Sequence, residues 1–410
     1  MRWLLLIAAL LTTPAAALEY STFNHSSVTL SGATAEYSHI QGATELNTTE
    51  NRIACLIPDA ITIVGLDVWL DTEPGAGKSR EMMIRKDATS DEFGCTIANT
   101  ATHCSATGSA SFSAGEWAGI KFVPIGAFPS PNASIARWSV RIQTSTDYIS
   151  MFCGTTTGIL NKNTTSYLLL NGQEGAPRVD QLNGLIMPTA GTVDNLYVDI
   201  SAAPGGISGS RDYEVLKDGS TTGLLCDLGT ADMTCNDTTH SFSVAAGEEI
   251  ILEEVSSRNA ANATGRFAVR FTADRAGDVI VGHSIVDNLD VAANAYWWLS
   301  GTEGLMSSSE DSAVYQASEP VMRCYRMYME MSIAAGGFGG SYAFTVRNGG
   351  ADTDLTCAMP DPATACNDDG LLLIATGDNT YAMEGDPIGP GAAPAVKGSL
   401  VCEVPTRRRW

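Results

Sequence analysis

Three ten-residue windows bounded by cysteines constrain this chain more than any other feature: CTIANTATHC from Cys95 to Cys104, CDLGTADMTC from Cys226 to Cys235, and CAMPDPATAC from Cys357 to Cys366. Each window starts 131 residues after the one before it (226 − 95 and 357 − 226). A segment that returns at a fixed long interval marks copies of one unit. The unit must be a fold that a chain of that length can complete, which is the size of an ordinary single domain.

Other markers share the period. YSHIQGATE begins at Tyr37, YLLLNGQEG at Tyr167 and YWWLSGTEG at Tyr296. LDVWLDTEPGAGKS, LYVDISAAPGGISGS and MYMEMSIAAGGFGGS each run from alternating apolar residues into a glycine-rich turn. MMIRKDA, YEVLKDG and FTVRNGG end at Asp87, Asp218-Gly219 and Asn348-Gly349, and such pairs favour a hairpin turn because both central residues take positive φ. FSAGEW, VAAGEE and IATGDN place Gly115, Gly247 and Gly377 in a further turn. The division predicted is residues 18–147, 148–278 and 279–410, with 1–17 set apart. That leader, MRWLLLIAALLTTPAAA, has one basic residue, a short apolar run and small residues near Ala17, the order of a secretory signal peptide. No later stretch reads as a membrane span, so no membrane insertion is expected.

Within each unit the pattern has period 2, with turn residues every 8 to 12 positions and no sustained helical period. The expected fold class is all-β, three tandem β-sandwich domains in a rod, because no flexible linker separates the copies. A unit of this size has room for eight or nine strands, which favours a jelly-roll-like sandwich over an immunoglobulin one.

Ten cysteines behind an export signal point to disulfides. The windows predict Cys95–Cys104, Cys226–Cys235 and Cys357–Cys366, each stapling one copy. The other four allow three connectivities. Cys324 with Cys402 would close the third copy, and Cys55 with Cys153 would clamp the junction of the first two. Sequons at Asn24, Asn47, Asn132, Asn163, Asn236 and Asn262 would mark exposed loops in a glycosylating source.

A catalytic signature is missing. The histidines His25, His39, His103, His240 and His283 are scattered and read as loop residues, and no nucleophile elbow, phosphate loop or zinc motif appears. No cofactor is expected. Loop carboxylates near Glu310 and at Asn367–Asp369 are candidate calcium ligands without a recognised spacing. Trp297 and Trp298 are candidates for a sugar-binding platform, although neighbours on a strand face opposite ways. A net charge of −22 disfavours nucleic acid.

The texture PGaGks.y.f.v.kdG.tt.l.C followed by C.d.t..fsvaaGe resembles tandem β-sandwich modules of phage and environmental fibre proteins. The likeness covers the central half of each unit, and the export signal departs from the phage pattern. It implies assembly or adhesion rather than catalysis. The function expected is a secreted structural subunit of an extracellular fibre or surface layer, associating with itself head to tail, with exchange of the N-terminal strand LEYSTF as one means. The alternative is a glycan- or cell-binding adhesion module, and the third reading is a polysaccharide hydrolase.

Overall fold

The computed structural model describes residues 19–404 except 27, 43–44, 127–129, 146–148, 176, 182–183, 298, 303–305, 311–314, 317–321, 337–338, 375–379 and 390. The leader, Trp298 and Gly377 therefore lie outside the described residues. Those described form β-strands joined by turns and loops, with a 3-10 turn at Glu50–Arg52. None of them forms a helix long and apolar enough to cross a membrane.

Eight core strands recur in each third of the chain. In the second copy they are Ile149–Leu160, Thr165–Leu168, Gly191–Ile200, Arg211–Lys217, Ser220–Leu228, Thr234–Val244, Glu249–Ser256 and Ala263–Ala273. The first, eighth, third and sixth of these are neighbours in one sheet, and the second, seventh, fourth and fifth in the other. This is the strand order of a jelly roll, two Greek keys folded over each other, and not of an immunoglobulin sandwich.

The first copy repeats the order with Glu19–Ser21 (continued by Asn24–His25), Glu36–Ser38, Ile61–Leu70, Gly75–Lys86, Ser90–Asn99, His103–Phe112, Trp117–Ile125 and Ala136–Thr144. The third uses Asp278–Asn288, Ala295–Trp297, Met322–Met331, Ser341–Asn348, Ala351–Pro360, Ala365–Asp368, Thr380–Ile388 and Ala395–Glu403. Short strands raise the total above the eight or nine expected. One matters below: Cys55–Leu56, Leu185–Ile186 and Tyr315–Gln316 each add to the seventh strand of their copy.

Register makes the copies superimposable residue by residue. Cys95, Cys226 and Cys357 on the fifth strand face Met82, Tyr213 and Phe344 on the fourth. Cys104, Cys235 and Cys366 on the sixth strand face Val68, Val198 and Met329 on the third. The isolated bridges Tyr37–Asn47, Tyr167–Arg178 and Tyr296–Ser307 recur at the second marker.

Alternation buries one face of each sheet. The second copy's fourth strand sends Tyr213 and Val215 inward, and Tyr213 meets Phe267 of the opposite sheet with ring centroids 5.7 Å apart. Phe122 and Trp138 bridge the sheets of the first copy at 5.2 Å. Full burial of one such side chain is worth roughly 1.5–3 kcal/mol. The turn between the fourth and fifth strands has positive φ at Asp87 and Ala88, at Asp218 and Gly219, and at Gly349 and Gly350. In the third copy the turn thus centres one residue beyond Asn348-Gly349, because Asn348 still pairs with Ala351.

The rod does not form. First and third copies touch: the strand Tyr315–Gln316 packs on Ala136–Thr144, and Tyr20–Phe23 enclose a small cavity together with Val279–Val281 and Ser300. The cores of these two copies join in one apolar cluster. Short connectors restrict distance but not direction. A contact that turns each copy through a similar angle brings the third back to the first, as in a closed point group.

Candidate assembly interface

The structural feature that distinguishes this chain from separate jelly rolls is the junction between copies. At the first two junctions the short strand, the turn before the seventh strand and the loop after the second strand of one copy meet the first, third and eighth strands of the next; at the third, the short strand meets the eighth strand and the loop meets the first.

At the first junction Cys55 of the short strand is bonded to Cys153 of the next copy's first strand. The same place at the second junction holds Leu185, whose Cδ1 would lie 2.3 Å from a Cβ at Gly282. Glycine is required there because the leucine occupies the space. At the third, Phe23 fills the position of Cys153 and Gly282, 1 % exposed. Its counterpart on the short strand is Tyr315, the first residue of the strand that packs against the first copy.

Polar contacts follow the same correspondence. Gln41 Nε2 donates to the Met151 carbonyl at 2.9 Å, and Asn171 Nδ2 to the Gly282 carbonyl at 2.7 Å. Ser300, the next member of this series, faces Tyr20–Phe23. One position of the eighth strand is basic throughout. Arg266 stacks over Trp117 of the preceding copy at 3.3 Å and pairs with Asp199 at 2.6 Å. Lys397 pairs with Glu249 of the preceding copy and lies 3.5 Å from Glu330. Arg137 pairs with Asp71. Further bonds are Arg270 to Asp59, Asn195 to the Pro58 carbonyl, and Ser399 to the Ile186 carbonyl.

The turn glycines explain their own marker. Gly115 and Gly247 have φ of +87° and +89°, and a Cβ would stand 3.6 Å from Tyr197 and 3.3 Å from Tyr328 of the next copy. Conformation calls for glycine at both, and at Gly247 close approach does so as well.

All ten cysteines are paired: Cys95–Cys104, Cys226–Cys235, Cys357–Cys366, Cys55–Cys153 and Cys324–Cys402. The window bonds join the edge strands of opposite sheets. Cys324 lies within the third strand, opposite Cys402 on the eighth. A complete set of disulfides fits a compartment that is oxidising. Among the described residues His39, Cys55 and Cys153 form the group of three ligand types within 4.8 Å, and its two sulfurs are already bonded to each other.

Three histidines are not polar loop residues at the surface: His25 and His283 lie in strands, and His39 is in the buried loop after the second strand. His25, His39 and His283 are buried, and burial lowers their pKa to about 3, 4 and 3. Neutral imidazole can exchange hydrogen bonds inside an apolar wall, whereas the cation is excluded. His39 Nδ1 lies 2.6 Å from the Gln41 carbonyl, and His283 Nε2 accepts from Trp297 Nε1 at 2.8 Å. His103 and His240 are exposed.

The other candidates divide. Asn24 is wholly buried on the first strand, with Nδ2 donating to Thr22 Oγ1 and the Ile40 carbonyl, so it is no exposed loop residue. Asn47 is half-buried, and Asn132, Asn163, Asn236 and Asn262 are exposed. Trp297 is core, edge-on to Phe344, and offers no platform. Glu310 engages Arg347, Asp369 engages Arg326, and Asp368 accepts from the Thr356 amide, so these carboxylates serve internal partners.

The second copy holds a feature with no trace in the repeat pattern. Asp212, Glu214, Asp227 and Glu253 surround a cleft of about 210 Å³ with Leu225 and Val255. Asp212 is directly opposite Asp227, and Glu214 opposite Glu253. Burial and Asp227 raise the Asp212 pKa. No known family model matches the chain, and no curated protein matches it.

Proposed function

We propose that the protein is a secreted, non-catalytic building block of an extracellular fibre or surface layer, which associates with further copies of itself. The observation that carries this reading is the set of equivalent junctions, which welds three sandwiches into one stiff body. Protein is invested in shape: one junction is covalent, each copy has its own staple, and the second junction seats glycine beneath a leucine. The leader and the complete disulfide pairing support export. The N-terminal strand pairs with Ala136–Thr144 of its own copy and Tyr20 is buried, which makes its exchange the weaker route to association.

Negative-stain microscopy of the mature protein tests the reading. Ordered filaments or sheets are expected, and a dispersed particle at every concentration and ionic condition tried overturns it. The second reading, a glycan-binding module, is favoured only by the acidic cleft of the second copy. Retention on a glycan array that disappears in Asp212→Asn/Asp227→Asn supports that alternative. Turnover of a polysaccharide by the same face would instead favour a hydrolase.

A further inference from the structure

The three junctions differ in how they are tied. First and second copies are joined by residues 145–148 and by Cys55–Cys153. Second and third are joined by the four residues Asp274–Gly277 and by Asn171, Lys397 and Ser399. Third and first are connected only through the second copy, and all five disulfides are accounted for without bridging this junction. It is the one junction that can open without breaking a covalent bond or stretching a four-residue connector.

We propose that this junction exchanges between molecules: the Tyr315–Gln316 end of the third copy docks on the Phe23 and Ala136–Thr144 face of the first copy of a second chain. The inference rests on the building-block reading and names its contact. The occupant is a second copy of this chain because the surface is continuous with an interface already made twice within it, at Cys55–Cys153 and at Leu185–Gly282. Exchange creates no new contact and loses none, as in domain swapping, so the balance is set by concentration. Closure within one chain benefits from an effective concentration on the order of mM, which keeps dilute protein in the ring form. Where chains are crowded, the opened form presents one half of the contact at each end. A heterologous contact of that kind extends as an open filament.

The test uses Phe23→Cys/Tyr315→Cys, which puts cysteines at the two strand positions that correspond to Cys153 and Cys55. Oxidised while dilute, this variant is expected to form the bond within one chain and to stay monomeric in sedimentation velocity when concentrated, under conditions that assemble the unaltered protein. Oxidised after assembly, it is expected to give a ladder of cross-linked chains on a non-reducing gel. A second variant needs no cross-link: Phe23→Ala should enlarge the monomer in small-angle scattering and weaken assembly at least tenfold. Assembly of the locked variant to the same extent as the unaltered protein overturns the exchange and leaves the building-block reading standing, with the outer faces as the contact. Assembly without the ladder, or undiminished in Phe23→Ala, overturns it likewise. An unaltered protein that remains monomeric throughout defeats both.

Discussion

Arg80, Arg211 and Tyr342 occupy one position of the fourth strand and solve one problem differently. Arg80 donates to the carbonyls of Leu30, Ser31 and Asn132, Arg211 to those of Leu160 and Ala261, and the Tyr342 hydroxyl to that of Ala392 at 2.7 Å, with the Asp290 carbonyl at 3.3 Å. Buried carbonyls at the sandwich end need a donor, and either group can reach. The guanidinium carries a charge, so the second copy adds Glu254 beside Arg211, both wholly buried, whereas Tyr342 needs no counter-ion. Arg211→Met leaves the carboxylate stranded, and a loss of about 3–5 kcal/mol is expected from urea unfolding. Tyr342→Phe removes only neutral hydrogen bonds, for a loss of about 1–2 kcal/mol. The buried histidines predict a pH effect. Their folded pKa values, about 3 to 4, lie below the unfolded value of 6.5. The unfolded chain therefore binds more protons below pH 6.5. Stability is complete above that pH and falls as acid is added, by up to about 4 kcal/mol per unit if all three contribute. A urea midpoint that does not move between pH 7 and pH 5 contradicts this. None of it is legible in the residues alone: a histidine in a polar-looking stretch gives no sign of burial until opposing strands are placed.

Elements were largely legible, because the period-2 pattern and the turn glycines act locally. The fourth, fifth and seventh strands can be read from MMIRKDA, YEVLKDG and FTVRNGG and from the turns at Gly115 and Gly247, where positive φ restricts the residue type. The window cysteines were equally plain, since a nine-residue separation leaves few ways to close a sandwich edge. Cys95→Ala/Cys104→Ala is expected to lose about 2–3 kcal/mol by the chain-entropy model, measured as the urea midpoint of the first copy. What escaped was the two-residue strand containing Cys55, too short for any periodicity, although it forms the junction. Gly247→Val should loosen that between the second and third copies, because the new side chain meets Tyr328 and the backbone has φ of +89°. Faster hydrogen exchange in Leu185–Ile186 would register it, and unchanged protection would contradict the assigned role.

For the molecule as a whole, the contact between first and third copies predicts compactness. A closed arrangement should have a radius of gyration of about 21–25 Å, whereas three such bodies in line would give about 30 Å. Small-angle scattering of dilute protein decides between them. The repeat period, the β class, the edge staples and the lack of a catalytic motif were determined by the sequence alone, because each depends on neighbours within a few residues or on simple counting. Ring closure, the Phe23 seat, the partners of Cys55 and Cys153, and the acidic cleft of the second copy were decided by tertiary structure. They depend on the direction in which one copy faces the next, and on which strands lie side by side. That direction is the sum of many weak contacts from distant segments, and no single stretch of residues encodes it.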